Sequence, residues 1–79
     1  MTQLYAHLEE LFEVDPGTIT GQEKLTELPG WSSLMFVSVI AMIDEEYEVS
    51  LEPKLIIGCE NIKALRLALE ETLSRQRAA

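Results

Sequence analysis

The chain has 79 residues, 47% of them apolar, with 14 acidic and 6 basic side chains and a formal charge of −8. That length suits a single domain over residues 1–79 with one small core, and the acidic balance argues against nucleic acid or anionic lipid as a partner, because both repel it. No apolar run is long enough to span a bilayer, no basic leader precedes an apolar segment, and the lone Cys59 has no disulfide partner, so a soluble, cytoplasmic chain in a reducing compartment is expected. A monomer is expected as well. The acid itself has two readings. It steers the chain toward enzymes with basic entrances, or it only keeps a small domain soluble.

The first segment carries Leu4, Leu8, Leu11 and Phe12 at helical spacing, with Glu9, Glu10 and Glu13 expected on the solvent side and Thr2 as its cap. "VDPG" ends this helix. From Val14 to Ser32 the sequence "VDPGTITGQEKLTELPGWS" reads as a long loop pinned by Val14, Ile19, Leu25 and Leu28, and a loop of that size in so small a domain points to function.

A second helix is predicted from Ser33 to Tyr47, capped by Ser32 or Ser33. Phe36, Val39, Ile40, Ile43 and Tyr47 form its core stripe. Leu34, Val37 and Ala41, widened by Met35, form a second one, which is either buried on another side of the bundle or left for a partner. "PKLIIG" reads as one or two helical turns. A last helix is expected from about Cys59 to Arg75, with Ile62, Leu65, Leu69 and Leu73 inward, and Arg66, Glu70 and Glu71 outward. Arg75 and Arg77 sit where the helix dipole favours cations. The whole is an all-α four-helix bundle with a long first loop and a short third helix.

Catalytic residues are scarce. The single His7 is far in sequence from either serine and reads as a surface residue of the first helix; Cys59 lacks the neighbours of a zinc site or an activated thiol and reads as a small residue at a helix start. The acids Asp44, Glu45, Glu46, Glu48 and Glu52 lack the alternation and central Gly of a calcium loop. No catalytic or metal-binding set is expected. Those acids oppose the dipole at the end of the second helix, which leaves either a basic partner surface or solvation to explain them.

"GWSSL" places hydroxyls at the start of an apolar helix, where unpaired N–H groups and partial positive charge suit a phosphate ester. Taken alone, Ser33 is better explained as a helix cap. With its surroundings the sequence resembles the acyl carrier and peptidyl carrier protein family. The resemblance runs from about Leu4 to Leu73 through a first helix, "VDPGTIT" in the loop, Gly30, Ser33 and Leu34 at the head of the second helix, "IDEEY" at its end, and the two last helices. Reading Ser33 rather than Ser32 as the family's serine puts Leu34 next to it and Tyr47 at the closing aromatic position. Three positions depart from the pattern: Ser32 stands where most members have Asp, and Met35 and Ser38 stand where many fatty-acid carriers have acids.

The resemblance implies a non-catalytic carrier. Ser33 would bear a 4′-phosphopantetheine arm, taken from coenzyme A by a magnesium-dependent phosphopantetheinyl transferase, and the terminal thiol would hold acyl or aminoacyl groups as thioesters. A ligase or acyltransferase would load it, and downstream synthase enzymes of a lipid or secondary-metabolite pathway would dock on Leu34, Met35, Val37 and Ala41 with Asp44 and Glu45 steering. The departures imply a dedicated pathway rather than bulk fatty-acid synthesis. Met1 and the short tail suggest a free-standing protein. The alternative is a helical adaptor that keeps the carrier fold without the arm.

Overall fold

The computed structural model describes residues 3–78, with side chains through Gln76. Its α-helices are α1 (Leu4–Leu11), α2 (Ser33–Tyr47), α3 (Pro53–Gly58) and α4 (Ile62–Ala78), with one 3-10 turn at Leu25–Glu27 inside the long loop. The four-helix order and the short third helix follow the apolar spacing of the sequence. Leu4 and Leu8 of α1, Val39 and Ile43 of α2, and Ile62, Leu65 and Leu69 of α4 are sealed from solvent and form the centre of the core. Each such side chain contributes about 1.5–3 kcal/mol on leaving water.

Helix α1 packs against both α2 and α4. It runs antiparallel to α2, because His7 meets Tyr47 at the end of α2 while Phe12 stacks on Trp31 just before its start. Both helices close through a glutamate in the left-handed region, Glu13 (φ 57°) after α1 and Glu48 (φ 56°) after α2. Past Glu48 the chain alternates, with Val49 and Leu51 buried and Ser50 exposed.

The long loop is anchored at several points. Ile19, Leu25 and Leu28 are buried as anchors and Val14 is half-buried. Glu9 corrects the reading of α1: it is only 7% exposed, and its carboxylate accepts the backbone N–H of Ile19 at 2.9 Å. A buried N–H needs a partner, and here α1 supplies one to the loop. At the other side the loop offers carbonyls to α4. Lys63 N–H donates to Gly21 O at 2.8 Å and Ile62 N–H to Glu23 O at 2.9 Å, so loop backbone satisfies donors that a helix start leaves unpaired. The close approach needs glycine: Gly21 is at φ 102°, and a Cβ there would lie 2.2 Å from the Tyr5 hydroxyl.

The start of α4 also differs from expectation. Cys59 is the residue after α3, its N–H bonded to Ile56 O at 3.3 Å, and not the first turn of the last helix. Asn61 stops the helix from beginning earlier, because its side-chain oxygen accepts the Ala64 N–H at 2.8 Å, the role in which Asn outperforms its poor interior propensity. The far end runs on to Ala78, beyond the expected Arg75. Arg66, expected outward, is half-buried and lies over the Tyr5 ring at 5.3 Å from its centroid. Thr2, the expected cap of α1, lies outside the described residues; Gln3 stands at that position with no side-chain capping bond.

Candidate functional site

The approach to α2 is built by a turn. Pro29 and Gly30 occupy its centre and Trp31 N–H closes it onto Leu28 O at 3.2 Å. Gly30 has φ 82°, the value required at the third position of a type II turn and one that other residues adopt only with strain. The indole of Trp31 then lies parallel to Phe12 (centroids 6.4 Å apart, 7° between planes) and tilted against Phe36 at 5.9 Å. Trp31 and Phe36 stand on either side of the first turn, one before the cap and one four residues into the helix, in the arrangement of a hydrophobic staple.

The two serines have different surroundings. Ser32 is the N-cap, with extended backbone (φ −162°, ψ 172°), and its Oγ accepts the Met35 N–H at 3.1 Å. Ser33 is the first residue of the helix and is exposed. Among the described residues its hydroxyl has no hydrogen-bond partner. It stands at the positive end of a 15-residue helix whose first turn contains no acid, a place that stabilises an added phosphate charge.

Along α2, Leu34 (75% exposed) and Val37 (58%) present large apolar side chains to solvent, and Ala41 is exposed with them. Met35 is placed differently. It is half-buried and packs against the core, so only part of it is offered outward. Ser38 turns its hydroxyl back to the Leu34 carbonyl at 3.0 Å. Asp44 and Glu45 are exposed on the last turn, and Glu45 lies on the rim of a shallow groove shared with His7, Glu10, Leu11 and Met42.

His7 is half-buried and partnered rather than a free surface residue. Its Nδ1 is 2.7 Å from the Tyr47 hydroxyl and its Nε2 is 3.5 Å from Glu46 Oε1. With the proton on Nε2, Tyr47 O–H donates to Nδ1 and the ring faces the carboxylate with its N–H. Burial, and then the neighbouring Glu46 charge, push the Tyr47 phenol above its ordinary value, while a backbone hydrogen bond at Gln3 works the other way. His7 therefore fastens α1 to the end of α2, away from both serines. Burial likewise pushes the Cys59 thiol up, and its Sγ–H donates to Leu55 O at 3.1 Å, so it is held as an unreactive thiol. Among the described residues no group of three or more His, Cys, Asp or Glu is arranged to hold a metal ion, and no helix is long and apolar enough to cross a membrane.

Sequence reasoning missed Trp31, Glu9 and the Asn61 cap. The spacing of Trp31 and Phe36 around a serine cap is a local signal for the staple, and Asn ahead of an apolar run is one for the cap. Nothing local marks Glu9, whose partner is chosen by the path of the loop.

The chain was also compared with known proteins. The family model for the phosphopantetheine attachment site matches residues 2–69. No curated protein and no solved structure gives a significant match. That match covers most of the chain, and with the helical order above it shows that the protein belongs to the phosphopantetheine-attachment family, non-catalytic carrier domains that bear covalent 4′-phosphopantetheine and are modified by phosphopantetheinyl transferases.

Proposed function

We propose that Ser33 is the residue that receives the 4′-phosphopantetheine arm, and that the chain presents acyl or aminoacyl groups as thioesters to the enzymes of a dedicated lipid or secondary-metabolite pathway. The observation that supports this choice is the contrast between the serines. The hydroxyl of Ser32 is committed to capping Met35 N–H, while that of Ser33 is exposed and without a partner among the described residues. In the modification Ser33 Oγ gives up its proton and forms a P–O bond, the pyrophosphate bond of coenzyme A breaks, and adenosine 3′,5′-bisphosphate leaves. The arm supplies a thiol for thioester chemistry; this chain supplies a rigid attachment point at a helix end whose dipole favours the phosphodiester charge.

A ligase or acyltransferase loads the thiol, and partner enzymes dock on Leu34, Val37 and Ala41, with the exposed edge of Met35 beside them and Asp44 and Glu45 steering approach. The exposure of Leu34 and Val37 supports such a face, since large apolar side chains in water favour a partner. On this reading the protein acts as one domain and a monomer in the cytoplasm, where Cys59 stays reduced.

The test is intact mass after incubation with coenzyme A and a broad-specificity transferase. Wild type is expected to gain one phosphopantetheine and Ser33→Ala none. No gain in wild type would leave the adaptor reading in its place, and a gain retained in Ser33→Ala would move the site to Ser32.

A further inference from the structure

We infer that Trp31 is the positioning residue for modification of Ser33, an inference that rests on Ser33 as the acceptor. From Pro29 to Leu34 every residue is exposed except Trp31. Leu28 behind this stretch is buried and Met35 ahead of it packs on the core, so between them one side chain ties the acceptor segment to the protein. The indole does so from two directions. It stacks on Phe12, a buried residue directly after α1, and it tilts against Phe36 within α2. Its ring thus fixes the first turn of α2 relative to α1.

Met35 and Phe36 pack on the core at the far end of this turn, and its exposed beginning, Ser32 and Ser33, has fewer restraints. It has the Ser32 cap and no acid to complement the dipole. Gly30 sits in open space, with nothing within 4 Å of where a Cβ would lie, so once the ring is lost the backbone before Trp31 is held by the Leu28 turn bond and not by packing around Gly30. A serine that must meet a phosphorus atom in line is sensitive to such freedom, since a misplacement of about 1 Å costs about 10²-fold in rate. The downstream face of α2 is held separately by Val39 and Ile43 in the core. Loss of the indole therefore disorders the acceptor turn, Leu34 with it, while Val37 and Ala41, the downstream part of the surface on which an enzyme docks, stay in place.

Transferase kinetics on the full chain, well below the unfolding temperature of every variant, test this. Trp31→Ala is expected to lower kcat by about tenfold or more while KM moves by less than about threefold, and Trp31→Phe, which keeps a ring in the stack, to restore kcat to within about threefold of wild type. Phe12→Leu, which removes the surface beneath the indole without altering α2, should lower kcat in the same direction. Leu73→Ala, a half-buried change in α4, reports what lost stability alone does and should leave kcat unchanged. Should Trp31→Ala fail to fold by circular dichroism, Trp31→Leu takes its place with the same expectation. Wild-type kcat in the Trp31→Ala or Trp31→Leu protein, or an equal loss in Leu73→Ala, overturns the inference. Absence of modification in wild type, or its persistence in Ser33→Ala, overturns the Ser33 reading instead, so the two failures are separate.

Discussion

The serine pair allows stability and modification to be separated on neighbouring residues. Ser32 Oγ makes the one side-chain bond that caps α2, to Met35 N–H at 3.1 Å, and removing such a cap costs about 1 kcal/mol. For a domain of this size Ser32→Ala should therefore lower Tm by about 4–8 °C. Ser33 is exposed and makes no side-chain bond among the described residues, and Ala is favoured over Ser in a helix by less than about 0.7 kcal/mol, so Ser33→Ala should leave Tm unchanged or slightly raised. Ser32→Asp keeps a capping oxygen and adds negative charge to a first turn that has none, for a gain of about 0.3–1 kcal/mol that fades in high salt. Thermal unfolding by circular dichroism measures these changes, and intact mass on the same samples measures modification. The expected pattern is a loss of stability with modification retained in Ser32→Ala, and stability retained with modification lost in Ser33→Ala. A Tm drop of several degrees in Ser33→Ala with none in Ser32→Ala would mean that the roles of the two hydroxyls are reversed.

Two further predictions concern the loop. Glu9→Ala leaves the Ile19 N–H buried without its charged acceptor and should cost about 2–3 kcal/mol, with Glu9→Gln costing less because an oxygen remains; exchange of the Ile19 amide should quicken in the Ala variant, and unchanged exchange would show that the bond does not hold the loop. The Glu23 carboxylate is pushed up by desolvation, but backbone N–H donors, including Thr20 at 2.9 Å and Gly21 at 2.8 Å, outweigh this and hold it below its ordinary value of 4.5. A lowered folded-state value means that its contribution is present above about pH 4.5 and is lost as pH falls through the lower folded value. The stability advantage of wild type over Glu23→Gln should accordingly be flat near pH 7 and shrink on acidification; an advantage that grows as pH falls would refute the assignment.

What the sequence determined by itself is the set of features that rest on neighbours in the chain. The periodic apolar residues and serine cap of α2 placed its limits at Ser33 and Tyr47, where the structure has them, because capping and amphipathic spacing act within one or two turns. Pro53 and Gly58 bounded α3 for the same reason. The ordered pattern around "GWSSL" pointed to the family that residues 2–69 match. Tertiary structure decided the rest. Glu9 has the look of a solvent-facing acid until Ile19 arrives to donate to it, and His7 that of a surface residue until the end of α2 brings Tyr47 and Glu46 alongside. Gly21 looks like any loop glycine, but Tyr5 and the start of α4 close around it. Trp31 belongs with these: its neighbour Phe36 was within reach of local reasoning, whereas Phe12 meets it only because α1 and α2 lie antiparallel. The serine that carries the proposed chemistry was legible in the sequence, and the ring that holds it still became visible only in the fold.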